Sequence, residues 1–120
     1  MNGYRILLVE DDNESGDILR RLMTHKGWVV TVAKSVAEAM DSLHPPPHCI
    51  LLDLMLPDGA GEEVLRKVRE DNLPSRVAVC TATNDSIRLA MVKGMDPDAL
   101  FHKPIDFEQV CQVVEDETLH

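Results

Sequence analysis

The chain has little with which to stack bases or to staple itself together. Aromatic residues make up 3% of its 120 positions, and Tyr4, Trp28, Phe101 and Phe107 are too few for a platform of rings that binds single-stranded nucleic acid. Basic residues are outnumbered, with 12 Lys and Arg against 21 Asp and Glu and a formal charge of -9. Without clustered cations a phosphate backbone has nothing to bind, so nucleic acid is not expected as a direct partner. The cysteines, Cys49, Cys80 and Cys111, are odd in number, far apart and set among apolar neighbours. That pattern supports neither a disulfide framework nor a metal-ligand spacing, and it reads as small core residues in a reducing compartment. His25, His44, His48, His102 and His120 are scattered, which implies no histidine metal site. No secretory segment opens the chain and no apolar stretch approaches the ~20 residues of a membrane span. The expectation is one cytoplasmic domain over residues 1–120, away from membranes, burying about two thirds of its unfolded surface.

What is present is a set of apolar runs that end in polar side chains. Ile6 to Val9 leads to Glu10 and Asp11, Cys49 to Leu52 leads to Asp53, Val77 to Cys80 leads to Thr81, and Leu100-Phe101 leads to Lys103 and Pro104. Continuous rather than alternating apolarity predicts strands covered on both faces, as in a parallel sheet. The polar ends would then cluster at the carboxyl edge, where open α/β sheets bind their ligands.

Helical signals separate the runs. Asp12-Asn13-Glu14 supply a cap and acidic first-turn residues for a helix with Ile18, Leu19, Leu22 and Met23, ending near Lys26-Gly27. Trp28 to Val32 reads as a second strand, and Ser35 with Glu38 forms a capping box before Val36, Ala39, Met40 and Leu43, which Pro45-Pro46-Pro47 terminates. A loop with Pro57, Gly59 and Gly61 precedes a helix from about Glu62 to Glu70 carrying Val64, Leu65 and Val68. A fourth helix with Ile87, Ala90 and Met91 runs to Gly94, and Asp106 caps a last one with Val110, Val113 and Val114 on its buried side. Five strand-helix units predict a three-layer α/β sandwich around a mainly parallel sheet.

The ordered conjunction Val9-Glu10-Asp11-Asp12, Leu52-Asp53-Leu54-Met55-Leu56-Pro57, Thr81-Ala82 and Lys103-Pro104 resembles the response-regulator receiver domains of two-component signalling, along essentially the whole chain. The resemblance implies a flavodoxin-like fold with strand order 2-1-3-4-5 and five helices. It implies that Asp53 accepts a phosphoryl group from a phosphohistidine on a sensor histidine kinase or histidine phosphotransfer protein, with Thr81 and Lys103 bonding the phosphoryl oxygens. Three gathered carboxylates repel, each pair by about 4 kcal/mol at 4 Å and an effective dielectric near 20. A divalent cation relieves this, and oxygen ligation with water suits Mg²⁺. Asp11 and Asp53 are expected as direct ligands, Glu10 directly or through water, and the Met55 backbone carbonyl by family analogy, while Asp12 caps the first helix. The chain would catalyse only its own phosphorylation and dephosphorylation, with no outside substrate and no output domain within it. A downstream protein target, an output domain on a longer regulator and a homodimer all stay open as ways of acting.

The chain departs from the family where the switch is read out. Receivers commonly carry Tyr or Phe three residues before the lysine, and here that position is Leu100, with Phe101 on the opposite face of the strand. Coupling to the fourth helix and last strand is therefore expected to be altered, with His102 as a candidate participant. Met55, Ala82, Thr83 and Pro104 flank the site, and Met55 is expected to shield an acyl phosphate from water. Leu100 also keeps alive a receiver-like module that binds protein without being phosphorylated. An aspartate-nucleophile phosphatase of the haloacid dehalogenase type would need a second aspartate where Met55 stands, and a flavodoxin-like flavin carrier would need a Ser/Thr-rich phosphate loop after the first strand. Neither feature is present.

Overall fold

A computed structural model describes residues 3–115, and the ending 116–120 with His120 lies outside the described residues. In chain order the elements are β1 (Arg5–Val9), α1 (Asn13–His25), β2 (Val29–Ala33), α2 (Val36–Asp41), β3 (Cys49–Asp53), β4 (Met55–Leu56), β5 (Gly59–Ala60), α3 (Glu62–Glu70), β6 (Arg76–Thr81), α4 (Ser86–Gly94), β7 (Ala99–His102) and α5 (Phe107–Glu115). Five strands form a fully parallel sheet in the order β2-β1-β3-β6-β7, which is 2-1-3-4-5 when only those strands are counted. β4 and β5 form a separate antiparallel hairpin, where the sequence suggested only a loop.

The sheet alternation sorts the core into two layers. Leu7, Val9, Ile50, Leu52, Val77 and Val79 pack with Ala39, Leu43, Val64, Leu65, Val68 and Val92 from α2, its trailing loop, α3 and α4. Ile6, Leu8, Leu51 and Ala78 pack on the other face with Met23, Trp28, Val110, Val113 and Val114, beneath α1 and α5. Each buried Leu or Val contributes roughly 1.5–3 kcal/mol by leaving water. Both layers fix the register of the central strands, because a slip by one residue would exchange the two sets of side chains.

The expected caps form. Asp12 accepts from Glu14 N–H at 3.2 Å, Ser35 Oγ from Glu38 N–H at 3.1 Å and Asp106 from Glu108 N–H at 3.0 Å. Glu38 reaches back to Lys34 N–H at 3.2 Å rather than to that of Ser35. α1 ends in a Schellman motif, with Trp28 N–H on Met23 O at 3.3 Å and Gly27 N–H on Thr24 O at 2.9 Å. Gly27 supplies the positive φ of 89° this motif requires.

Several expectations need correction. Ile18 and Leu22 are 55% and 41% exposed, and of the expected α1 stripe only Met23 is fully buried. In α4, Ile87 and Met91 are 74% and 64% exposed, and the buried residue is Val92. β7 is at the sheet edge, so Leu100 and Phe101 are half-buried rather than covered on both faces. Cys49 and Cys80 are buried as expected, while Cys111 is partly exposed. A periodic stripe identifies residues that share a face, and whether another element covers that face is a separate matter. Among the described residues no helix is long and apolar enough to cross a membrane.

Candidate functional site

Parallel pairing brings the ends of β1, β3, β6 and β7 to one edge. β1 and β3 align Val9 with Leu52, and β3 and β6 align Asp53 with Cys80, so Glu10, Asp53 and Thr81 emerge side by side. Lys103 N–H continues the ladder onto Thr81 O at 2.8 Å and returns its side chain over the edge. Glu10, Asp53 and Thr81 are buried at 5%, 6% and 1% exposure, whereas Asp11 is exposed.

Lys103 Nζ donates to Glu10 Oε2 at 2.7 Å and to Asp53 Oδ2 at 3.0 Å. One ammonium thus bridges two buried carboxylates and offsets the repulsion between them. Burial pushes the Glu10 pKa up, partly opposed by Lys103 and reinforced by Asp53. Burial alone would lower the Lys103 pKa, but its bonds to Glu10 and Asp53 prevail and raise it above the ordinary lysine value. The other Asp53 oxygen, Oδ1, accepts the Met55 N–H at 3.0 Å. Thr81 Oγ1 accepts from Thr83 N–H at 3.1 Å. Its own O–H thereby remains a donor beside Asp53. Thr83 Oγ1 accepts in turn from Asp85 N–H at 3.2 Å, which ties this turn to the cap of α4.

One oxygen from each of Glu10, Asp11 and Asp53 can be chosen so that all lie within 4.8 Å of one another. Hard carboxylate oxygens at that separation fit a small divalent cation with water completing its shell. Asp12 is engaged as the N-cap of α1, receiving Glu14 N–H and the Ser15 hydroxyl at 2.8 Å. Met55 opens the β4–β5 hairpin and is 55% exposed beside the site. Beside the acidic edge lies a cavity of about 280 Å³ walled by Ile18, Leu19 and Leu22 of α1 and by Pro104, Ile105 and Phe107.

Leu100 packs with the layer beneath α2, α3 and α4, and Phe101 with the opposite layer. Phe101 therefore does not take over the inward position. His102 is exposed, and its ring bonds Asn84 Oδ1 at 3.0 Å and Lys103 O at 2.8 Å, linking the end of β7 to the loop before α4.

The hairpin beside Asp53 is clamped by Gly61, which the sequence marked as a loop glycine, and by Asp58 and Arg88, which it did not single out. Asp58 accepts Val36 N–H at 2.8 Å and Ala37 N–H at 3.1 Å, the free amides of the α2 N-terminus, and these bonds lower its pKa. Gly61 N–H donates to Leu54 O at 2.9 Å, and a Cβ at Gly61 would lie 2.1 Å from the Asp53 carbonyl oxygen. Only glycine permits that approach. Arg88, on α4, donates to Leu54 O at 2.6 Å and forks onto Glu62 at 2.7 and 2.8 Å. An arginine amid helical residues gives no sequence signal of such a role, because its partners are 26 and 34 positions away.

A sequence profile described as the response regulator receiver domain matches residues 6–115. The chain belongs to the response-regulator receiver family. It is 36% identical over 111 residues to response regulator MprA of Mycobacterium sp. (strain KMS), covering 88% of this chain and 46% of the relative. It is 33% identical over 109 residues to the transcriptional regulatory protein TrcR of Mycobacterium tuberculosis, with coverages of 88% and 42%. The chain thus spans less than half the length of these relatives. Among solved structures, the CheY-like receiver domain protein of Methanospirillum hungatei has the same fold, with a TM-score of 0.87, 21% identity and 98% coverage of each chain. The chain is a receiver domain of a two-component response regulator, and phosphorylation-dependent switching is the family's general function.

Proposed function

We propose that Asp53 is the phosphoryl acceptor of this receiver and that Mg²⁺ is its cofactor. The observation that carries this reading is the buried Asp53 carboxylate, 3.0 Å from Lys103 Nζ and grouped with the oxygens of Glu10 and Asp11. An Asp53 oxygen attacks the phosphorus of a phosphohistidine, the new O–P bond forming as the P–N bond breaks and the imidazole nitrogen leaves with the bonding pair. Charge develops on the equatorial phosphoryl oxygens. Lys103 pairs with one of them, and the Thr81 hydroxyl, held as a donor by Thr83 N–H, bonds another. Mg²⁺, held by Asp11, Asp53, Glu10 and the Met55 carbonyl, would supply charge neutralisation at the same oxygens.

The donor is a sensor histidine kinase or a histidine phosphotransfer protein. Exposed Ile18 and Leu22 beside the cavity offer it apolar surface next to Asp53. The acyl phosphate alters what the chain binds, whether a separate protein or an output region of a longer regulator of the kind its relatives represent. On this reading the chain turns over no outside substrate and works in the cytoplasm.

The test is intact mass after incubation with Mg²⁺ and acetyl phosphate. One phosphoryl adduct is expected on the wild-type protein, absent with EDTA and absent from Asp53→Asn. An adduct that persists in folded Asp53→Asn would reassign the acceptor, and no adduct from either acetyl phosphate or a phosphohistidine donor would overturn the switch.

A further inference from the structure

We propose that Arg88 is a positioning residue for the acceptor, acting through the Leu54–Met55 peptide, and that the same contact links Asp53 to α4. This inference rests on the phosphoryl-acceptor reading above for its consequence and on geometry for its existence.

The Leu54 C=O and the Met55 N–H belong to one peptide unit, which is planar, so the two groups turn as one body. At one end the oxygen receives Arg88 at 2.6 Å and Gly61 N–H at 2.9 Å. At the other end the N–H donates to Asp53 Oδ1 at 3.0 Å. Holding the oxygen therefore fixes the direction of the amide that orients the nucleophile. Arg88 is itself held rigidly, because its guanidinium meets both oxygens of Glu62 in a fork at 2.7 and 2.8 Å. Glu62 opens α3 and Asp85 caps α4, accepting the Ile87 and Arg88 amides at 3.0 and 3.2 Å. The peptide is thus referenced to two helices.

The coupling runs in both directions. α4 has one fully buried residue, Val92, while Ile87 and Met91 are 74% and 64% exposed, so apolar packing holds it weakly. Arg88 is the polar attachment at its first turn. Any bond to Asp53 Oδ1 that displaces the Met55 N–H rotates the peptide and moves the Leu54 oxygen against Arg88. Linkage makes the effect reciprocal. With Leu100 in the usual aromatic position, this contact supplies a connection from the acceptor to α4 that does not pass through β7.

The experiment compares the full chain with Arg88→Met, Arg88→Lys and Glu62→Gln, using two readouts. The first is hydrogen exchange of the Met55 amide in the absence of phosphodonor. Arg88→Met is expected to speed it about tenfold while amides of β1, β3 and β6 stay at wild-type rates. The second is the rate of Mg²⁺-dependent acyl phosphate formation from acetyl phosphate, expected to fall about tenfold in Arg88→Met. Glu62→Gln keeps the bond to Leu54 O and loosens the fork, so it should shift both readouts in the same direction by less. If Arg88→Met does not fold, Arg88→Lys and Glu62→Gln decide by the same readouts. Faster exchange confined to α4, with Met55 exchange and phosphorylation at wild-type values, would make Arg88 a helix anchor and overturn the proposal. Should the wild-type chain accept no phosphoryl group, the acceptor reading fails, while Met55 exchange still decides the role of Arg88.

Discussion

The centre of the sheet and its α4–β7 edge are built to different standards. β1, β3 and β6 are enclosed between two apolar layers, and along Cys49–Asp53 every residue is buried. β7 is half-buried throughout most of its length, and α4 contributes only Val92 to the core. Glu10, Asp53 and Thr81 all project from the enclosed strands, while the elements nearest Arg88 and His102 lie on the open side. Positioning of reacting groups benefits from rigidity, and rearrangement draws on elements of low local stability. One fold supplies both by placing the site at the border between them.

The largest expected effect comes from breaking the enclosed side. Leu51→Ala, at a residue with 1% exposure, should destabilise by about 2–5 kcal/mol, from lost burial plus the cavity left behind. Ile87→Ala on α4 should stay within about 0.5 kcal/mol of wild type. Denaturant titration of the two variants tests the contrast, and equal losses would mean that α4 is anchored as firmly as the central strands.

A smaller effect is expected at the border itself. Gly61→Ala would put its methyl 2.1 Å from the Asp53 carbonyl oxygen, so the hairpin or the strand end must shift. A cost of about 1–3 kcal/mol is expected. Slower acetyl phosphate phosphorylation should accompany it, because the displaced backbone carries Asp53, the proposed acceptor. Unchanged stability would show that the β4–β5 hairpin yields freely.

The mildest perturbation is pH. The folded-state pKa of Lys103 is raised above 10.5 by Glu10 and Asp53, against the effect of burial. Its contribution to stability is therefore complete below 10.5 and is lost as pH rises through the folded value. Glu10 acts in a separate window. Its pKa is raised above 4.5, chiefly by burial, so stability falls as pH climbs from 4.5 through its folded value. Denaturation midpoints of the cation-free protein should show the alkaline decline in wild type and a weaker one in Lys103→Met. Identical alkaline profiles would remove Lys103 as its source.

Much of the site was legible because short-range patterns carry it. Apolar runs that end in Glu10, Asp53, Thr81 and Lys103 specify strands whose ends must meet once the sheet is parallel. Asp12, Ser35 and Asp106 were legible as caps for the same reason, since a cap and its amide are two or three residues apart. The bounds of α3 also follow from local signals, with Glu62 and Glu63 in the first turn, Val64, Leu65 and Val68 on one face, and Lys67 and Arg69 near the end.

By itself, then, the sequence determined the class of fold, the strand ends and the identity of the acidic site, because propensity, periodicity and capping act over a few residues. Tertiary structure decided the rest. It exposed Ile18, Leu22, Ile87 and Met91, since periodicity defines a face without supplying a neighbour to cover it. It also joined Arg88 to Glu62 and Leu54, and Asp58 to the α2 amides. Such polar contacts depend on the packing of whole elements, which brings groups far apart in the chain within hydrogen-bond reach.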